Sequence, residues 1–303
     1  MNYPHVARAF YNTPWFLTRE KMAEIHAFLA PRVLSGARAE ISPAQIEYWQ
    51  AAQAAAQARA QRAPGAIAVI PIFGVLLPRA DQFDQMSGAT SVQALTGSFR
   101  AALANPDVKT IVFDVDSPGG SVAGIEEFAA EIFAARGQKK MVAVSDTSMA
   151  SAAYYLASAA DEVVASPSSD TGSIGVISLH LDFSKAAEMA GVKPTWITYG
   201  AYKAEGNDLQ PLTEEAQAFW QQRVNDYGEM FVKAVARNRG VSAKDVRANF
   251  GQGRSFGAVE AKQRGLADRI ASFDETMARL QAAQRDRNQT ALRKERLAIA
   301  ARS

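Results

Sequence analysis

The chain has 303 residues, 48% of them hydrophobic and 21% charged, with a formal net charge of +2. That length allows one large domain with appendages or two ordinary domains, and the near-neutral balance suggests neither a nucleic-acid nor a membrane partner. There is no cysteine, which excludes disulfides, thiol nucleophiles and cysteine-ligated metals. The amino terminus, Met-Asn-Tyr-Pro-His-Val-Ala-Arg, lacks a charged segment followed by an apolar one. No apolar run approaches the ~20 residues that span a bilayer. The expectation is a cytoplasmic protein with no membrane anchor.

Residues 1–64 read as a helical N-terminal arm. Thr18 can cap a helix carrying Met22, Ile25, His26 and Leu29, and Ser42 with Pro43 can start a second. The second runs into the Ala/Gln-rich stretch 50–63, helical by propensity but poor in core residues. It reads as a solvated arm or linker, with an oligomerisation arm as the sharper alternative.

From 65 to 272 the pattern alternates between strands and helices. Strands are expected from Ile67 to Phe73, Lys109 to Val115 and Met141 to Val144, then at 162–165, 174–180 and 194–198. Helices are expected from Ser91 to Leu103, Val122 to Ala135, 149 to 160 and 183 to 190. This alternation predicts an α/β domain with largely parallel strands and right-handed crossovers. A long amphipathic helix follows, capped by Thr213, with Trp220, Val224, Tyr227 and Phe231 on one face. Such a stripe is core or subunit-contact surface, not a cofactor site. Residues 273–303 read as a charged C-terminal helix in which Arg279, Arg285, Arg287, Arg293, Lys294, Arg296 and Arg302 outweigh Asp286 and Glu295. A solvated, partly frayed tail is its plain reading, and an interaction tail the alternative.

Three segments carry candidate chemistry. Asp116-Ser-Pro-Gly-Gly-Ser121 lies between a buried strand and a helix, where ligands bind in α/β sheets. Its paired glycines leave a backbone N–H uncovered for a ligand oxygen, or simply make a tight turn. Ser151, in Met-Ala-Ser-Ala-Ala-Tyr-Tyr, lies where a helix N-terminus would favour an oxyanion, with the Ala152 N–H as donor. Ser145, Ser148 and Ser158 are rivals, and a serine in such a segment is ordinarily a cap or a packing residue. His5 and His26 belong to the arm, and His180 reads as a structural histidine at a strand end, so a histidine base is disfavoured. A lysine serves as a base only where burial in an apolar site disfavours its charged form. Lys203, in Tyr-Gly-Ala-Tyr-Lys, has a suitable loop setting, although a lone loop lysine is normally solvated.

Taken together, Asp-Ser-Pro-Gly-Gly, Met-Ala-Ser-Ala-Ala-Tyr-Tyr, Thr171-Gly-Ser-Ile-Gly-Val176 and Tyr-Gly-Ala-Tyr-Lys occur in an order and spacing that resembles the S49 peptidase family. That family comprises the signal peptide peptidase A type proteases and the capsid-assembly proteases of tailed bacteriophages. The resemblance covers roughly residues 66–272, including Gly265-Leu-Ala-Asp268. It implies a ClpP/crotonase-like fold and a Ser–Lys dyad. Ser151 would be the nucleophile, Lys203 the general base and Ser173 the hydroxyl that orients the lysine. The Gly120 and Ala152 N–H groups would form the oxyanion hole. Many members have Ser-Gly-Gly where this chain has Ser151-Ala-Ala.

The resemblance implies a serine endopeptidase that needs no cofactor and no metal, acts on peptide or protein substrates and forms a homo-oligomeric ring. A phage or prophage capsid-assembly protease, with scaffold or capsid proteins as partners, is the expected branch. A soluble signal-peptide-peptidase-like housekeeping protease is the alternative. A catalytically silent capsid scaffold and crotonase-type acyl-CoA chemistry are readings of other classes.

Overall fold

A computed structural model describes residues 10–35, 43–61, 66–80 and 88–300. His5, Ser42 and Arg302, singled out above, lie outside the described residues. The chain opens with strand β1 (Trp15–Leu17) and helices α1 (Arg19–Ser35) and α2 (Pro43–Gln61). Next come β2 (Ile67–Phe73), β3 (Val75–Leu77), β4 (Ala89–Ser91), α3 (Val92–Ala104), β5 (Thr110–Asp116) and β6 (Gly119–Ser121). They are followed by α4 (Ile125–Ala134), β7 (Lys140–Ser145), β8 (Ser148–Ala150), α5 (Ala152–Ser158), β9 (Glu162–Ala165) and β10 (Asp170–Gly172). The last elements are α6 (Ser184–Met189), α7 (Glu214–Arg239), α8 (Ala243–Asn249), β11 (Ser255–Gly257), α9 (Ala258–Gln263), β12 (Arg269–Ile270) and α10 (Phe273–Ala300).

A parallel sheet in the order β12-β9-β7-β5-β2 forms the centre. Because side chains alternate along a strand, Ile111, Phe113 and Val115 enter the main core, together with residues of α3, α4, α5 and the C-terminal half of α7. Val112 points to the opposite face with Ile67, Val69, Val142, Val144 and Val164. Phe273, Met277 and Leu280 cover that second face, so the charged C-terminal helix begins as a packed layer and only then becomes exposed. At the end of α2, Arg59 pairs with Asp114 (3.5 Å) and Asp146 (3.7 Å) and lies over the Phe273 ring.

Several helix starts follow directly from residue chemistry. Thr18, Ser91 and Thr213 each accept a bond from the N–H three residues on, at 3.3, 3.3 and 3.1 Å, which satisfies one of the orphan donors of a helix start. At its other end α7 stops at Gly240, whose φ of 66° suits glycine.

Three expected elements differ. The helix expected from 149 begins at Ala152, because Ser148–Ala150 is drawn into parallel pairing with β10. Residues 174–180 form no strand beyond an isolated bridge between Ile177 and Trp15. Residues 194–198 are loop: their extended pattern finds no strand edge to pair with, and a strand without a ladder is not stable.

The N-terminal segment, read as helices and connectors, contains a strand and a small core. Phe10, Tyr11, Trp15, Leu17, Met22 and Leu29 pack together against Val75, Leu77, Ile177, Leu179 and Leu181.

Candidate active site

The loop after β5 is fixed by Ser117, whose hydroxyl donates to the Gly74 carbonyl (2.6 Å) and accepts from the Gly119 N–H (3.2 Å). Gly119 has φ of 104°, a conformation that strains any other residue. Gly120 pairs with Leu76 of β3, and a Cβ on it would lie 2.6 Å from the Leu76 Cα. Its side-chain position is therefore filled by neighbouring backbone.

Ser151 occupies the N-cap position of α5 with φ 53° and ψ −119°. Few non-glycine residues adopt such a conformation, and it costs on the order of 1–3 kcal/mol where it persists. Two backbone bonds hold it: its N–H donates to the Gly172 carbonyl (2.8 Å), and its carbonyl accepts from the Tyr155 N–H (2.9 Å). The residue is fully buried, and its Oγ has no hydrogen-bond partner among the described residues. The rival serines are satisfied. Ser145 Oγ accepts from Thr147, Ser148 Oγ donates to the Ser117 carbonyl, and Ser158 Oγ bonds to the Tyr155 carbonyl and Asn238.

A Cβ built on Gly119 would lie 2.9 Å from the Ser151 Cβ and 3.1 Å from the Ala152 nitrogen. The paired glycines, the serine and the first N–H of α5 thus meet at one point. Like the other N–H groups of a first turn, that of Ala152 has no acceptor within the helix. Ser173 adjoins through Gly172, has φ of 56°, and donates its N–H to the Arg254 carbonyl (2.8 Å).

Lys203 stands apart. It is exposed in a turn where its N–H donates to the Gly200 carbonyl (3.2 Å), and it is not bonded to the Ser151 hydroxyl. Its neighbour Tyr202 bonds to Glu215 (3.0 Å), and the same loop is tied by Trp196 to Asn207 (3.1 Å). His180 shares its Nδ1 with Asn12 Oδ1 at 3.0 Å and packs edge-on against Trp220, not against Ser151.

Buried polar groups brace α5 from several sides. The Tyr155 hydroxyl, pushed up by burial and by its bond to Glu126, donates to that carboxylate. Tyr154 donates to the Leu266 carbonyl (3.0 Å). Burial works to raise the Asp268 carboxyl, but Arg239 and the Val163 N–H outweigh it and hold it below its usual range. The Gly265–Asp268 motif thus anchors the sheet and α5. Arg136 donates to the carbonyls of Ser158, Ala159, Ala160 and Asn238 at 2.7–3.0 Å, closing the C-terminal end of α5. Among the described residues no group of three or more His, Asp or Glu is placed to hold a metal ion, and no helix is long and apolar enough to cross a membrane.

Sequence reasoning missed the strand that lies over this site. Trp15–Leu17 pairs antiparallel with Gly119–Ser121, Phe16 standing opposite Gly120. The available signal was Trp-Phe-Leu, two strand-prone aromatic residues and a leucine between Pro14 and the Thr18 cap.

Fold and site define a class: an α/β protein built around a buried, strained serine at a helix N-terminus, faced by paired glycines. Residues 134–286 match the model of Peptidase family S49, half of the chain, and the protein belongs to that family. It is 29% identical over 279 residues to the head-tail preconnector protein of Enterobacteria phage P21 and to the capsid assembly protease C of Escherichia phage lambda. Each match covers 89% of this chain, but 55% and 63% of those proteins, so the chain spans roughly half to two-thirds of their length. It is also 32% identical over 217 residues to Protease 4 of Salmonella typhi, covering 71% of this chain and 34% of that protein.

Proposed function

We propose that the protein is a serine endopeptidase acting on peptide substrates through a Ser151–Lys203 dyad on a ClpP/crotonase-like fold. The observation that carries this reading is the Ser151 hydroxyl: buried, without a partner among the described residues, on a strained backbone, beside the glycine pair and the start of α5. Lys203 takes the Ser151 proton as Oγ attacks a peptide carbonyl, with Ser173 orienting the amine. The oxyanion is held by the N–H groups of Gly120 and Ala152. The lysine ammonium then protonates the leaving amine, and water hydrolyses the acyl-enzyme with the same lysine as base.

Lys203 reaches a serine when a second copy packs on its loop. Met189, Ile197 and Tyr199 on this stretch are at least 90% exposed, an apolar surface of the kind that marks a protein contact. The homo-oligomer forms there, and the dyad is completed across the subunit boundary.

Its role is that of a signal-peptide-peptidase-like housekeeping protease, a reading supported by the similarity to Protease 4 of two bacteria and to a putative signal peptide peptidase of Enterococcus faecium. One observation favours the capsid-assembly reading: the similarity to the two phage proteins reaches over 89% of the chain.

Casein cleavage by the wild type, Ser151→Ala, Lys203→Ala and an equimolar mixture of the two variants tests the reading. Each variant alone is expected to be inactive and the mixture to recover activity. Undiminished cleavage by Ser151→Ala would sink the nucleophile assignment, and an inactive mixture would sink the shared dyad.

A further inference from the structure

We infer that the slot between Gly119–Ser121 and Ile177–Leu179 is the binding site for an extended peptide, and that the protein's own β1 segment is its resident occupant, a pseudosubstrate that must leave before a substrate enters. The inference rests on the proposed peptidase reading and names the ligand class and the regulation of that site.

The segment is bonded along both edges. On one side the Trp15 N–H donates to the Ile177 carbonyl (2.8 Å), the Ile177 N–H donates back to Trp15 (3.0 Å), and the Asn12 N–H donates to Leu179 (2.9 Å). On the other side the Thr18 N–H donates to the Pro118 carbonyl (3.0 Å). Hydrogen-bonded pairs in an antiparallel ladder recur every second residue. With Phe16 opposite Gly120, these two therefore form the next bonded pair, and the Phe16 carbonyl accepts from the Gly120 N–H. That oxygen lies against the Cα of Gly119, at the point where the Ser151 Cβ and the Ala152 nitrogen converge. A substrate carbonyl approaching Ser151 would need this same place.

The side chains alternate as those of a bound strand do. Phe16 is fully buried between Tyr155 and Phe231, with ring centroids 5.6 and 5.0 Å away. Trp15 and Leu17 enter the small core with Val75, Leu77 and Ile177. The peptides that fit are therefore extended, add by main-chain bonding, and carry an aromatic residue at the Phe16 position.

The chain contains no cysteine, so a reversible tether can be installed cleanly. Trp15 and Ser121 face each other as a non-hydrogen-bonded pair, a spacing compatible with a disulfide. In the full-length Trp15→Cys/Ser121→Cys protein, oxidation locks the segment in place and reduction frees it, so each sample serves as its own folding control. The probe is a fluorophore-labelled synthetic peptide of residues 10–20 of this chain, read by anisotropy, which does not depend on catalysis. The reduced protein is expected to bind it at least tenfold more tightly than the oxidised one. Equal binding in the two states, or binding in neither, would overturn the inference. Fluorophosphonate labelling of Ser151 is run in parallel. Gated peptide binding without labelling in the reduced state leaves the slot assignment standing and overturns the nucleophile.

Discussion

Phe16 stands opposite Gly120 in the β1–β6 ladder, and its carbonyl oxygen shares the space between the Gly119 backbone, the Ser151 Cβ and the first N–H of α5. A residue about a hundred positions away in sequence thereby fills the most chemically provocative point of the fold. The surrounding backbone explains why that point is costly to build and sensitive to change.

Ser151 illustrates the cost. Its φ of 53° penalises any side chain, whereas glycine adopts such angles freely at an entropic cost of about 0.5–1 kcal/mol. Ser151→Gly is expected to be more stable than Ser151→Ala by about 1 kcal/mol, both lacking peptidase activity. Urea denaturation midpoints of the two variants check this; a less stable glycine variant would mean that the backbone is not strained.

Two glycines that look alike in sequence should respond in opposite directions. A Cβ at Gly120 would press into the Leu76 backbone, whereas one at Gly97, inside α3, meets none of the described residues within 4 Å. Gly120→Ala should destabilise by about 3 kcal/mol or prevent folding, because strand backbone rather than a flexible side chain must yield. Gly97→Ala should stabilise by about 0.5–1 kcal/mol. Thermal melts of both variants distinguish the cases.

Asp114 sets a pH dependence on the far face of the sheet. Burial pushes its carboxyl up to about 6 from 3.8, against the opposing pull of Arg59. Its folded pKa lies above the unfolded one, so the native state holds the extra proton between about pH 4 and 6. The associated stability is present below that window and is lost as pH rises through it, by up to about 3 kcal/mol. Asp114→Asn should flatten this part of the stability–pH curve and be the more stable protein at pH 8. A curve unchanged by the substitution would show that another group controls it.

Arg136 bonds to three carbonyls at the end of α5 and to that of Asn238 in α7, and carries a charge that suits a helix C-terminus. Arg136→Ala leaves those acceptors without their donor and should cost about 2–4 kcal/mol. Arg136→Lys should recover only part, since an ammonium cannot reproduce the planar fork. Guanidinium denaturation of the three proteins ranks them; a full rescue by lysine would argue for charge alone.

By itself the sequence determined what short-range chemistry dictates. Thr18, Ser91 and Thr213 cap their helices because a side-chain oxygen and a backbone N–H three residues on lie within local reach. The central strands follow from β-branched runs, and the S49 motifs nominate Ser151 among serines of equal local appearance. Tertiary structure decided whatever needed a distant partner. The strand expected at 194–198 has no edge to join, and the one expected at 174–180 is reduced to a bridge with Trp15. No local pattern could announce that residues 15–17 would find the glycine pair at 119–120. Strand pairing is a contact between segments remote in sequence, and only the folded chain chooses the partner. Motif order thus nominated Ser151 as the candidate nucleophile, while the strand that lies over it was settled by the fold.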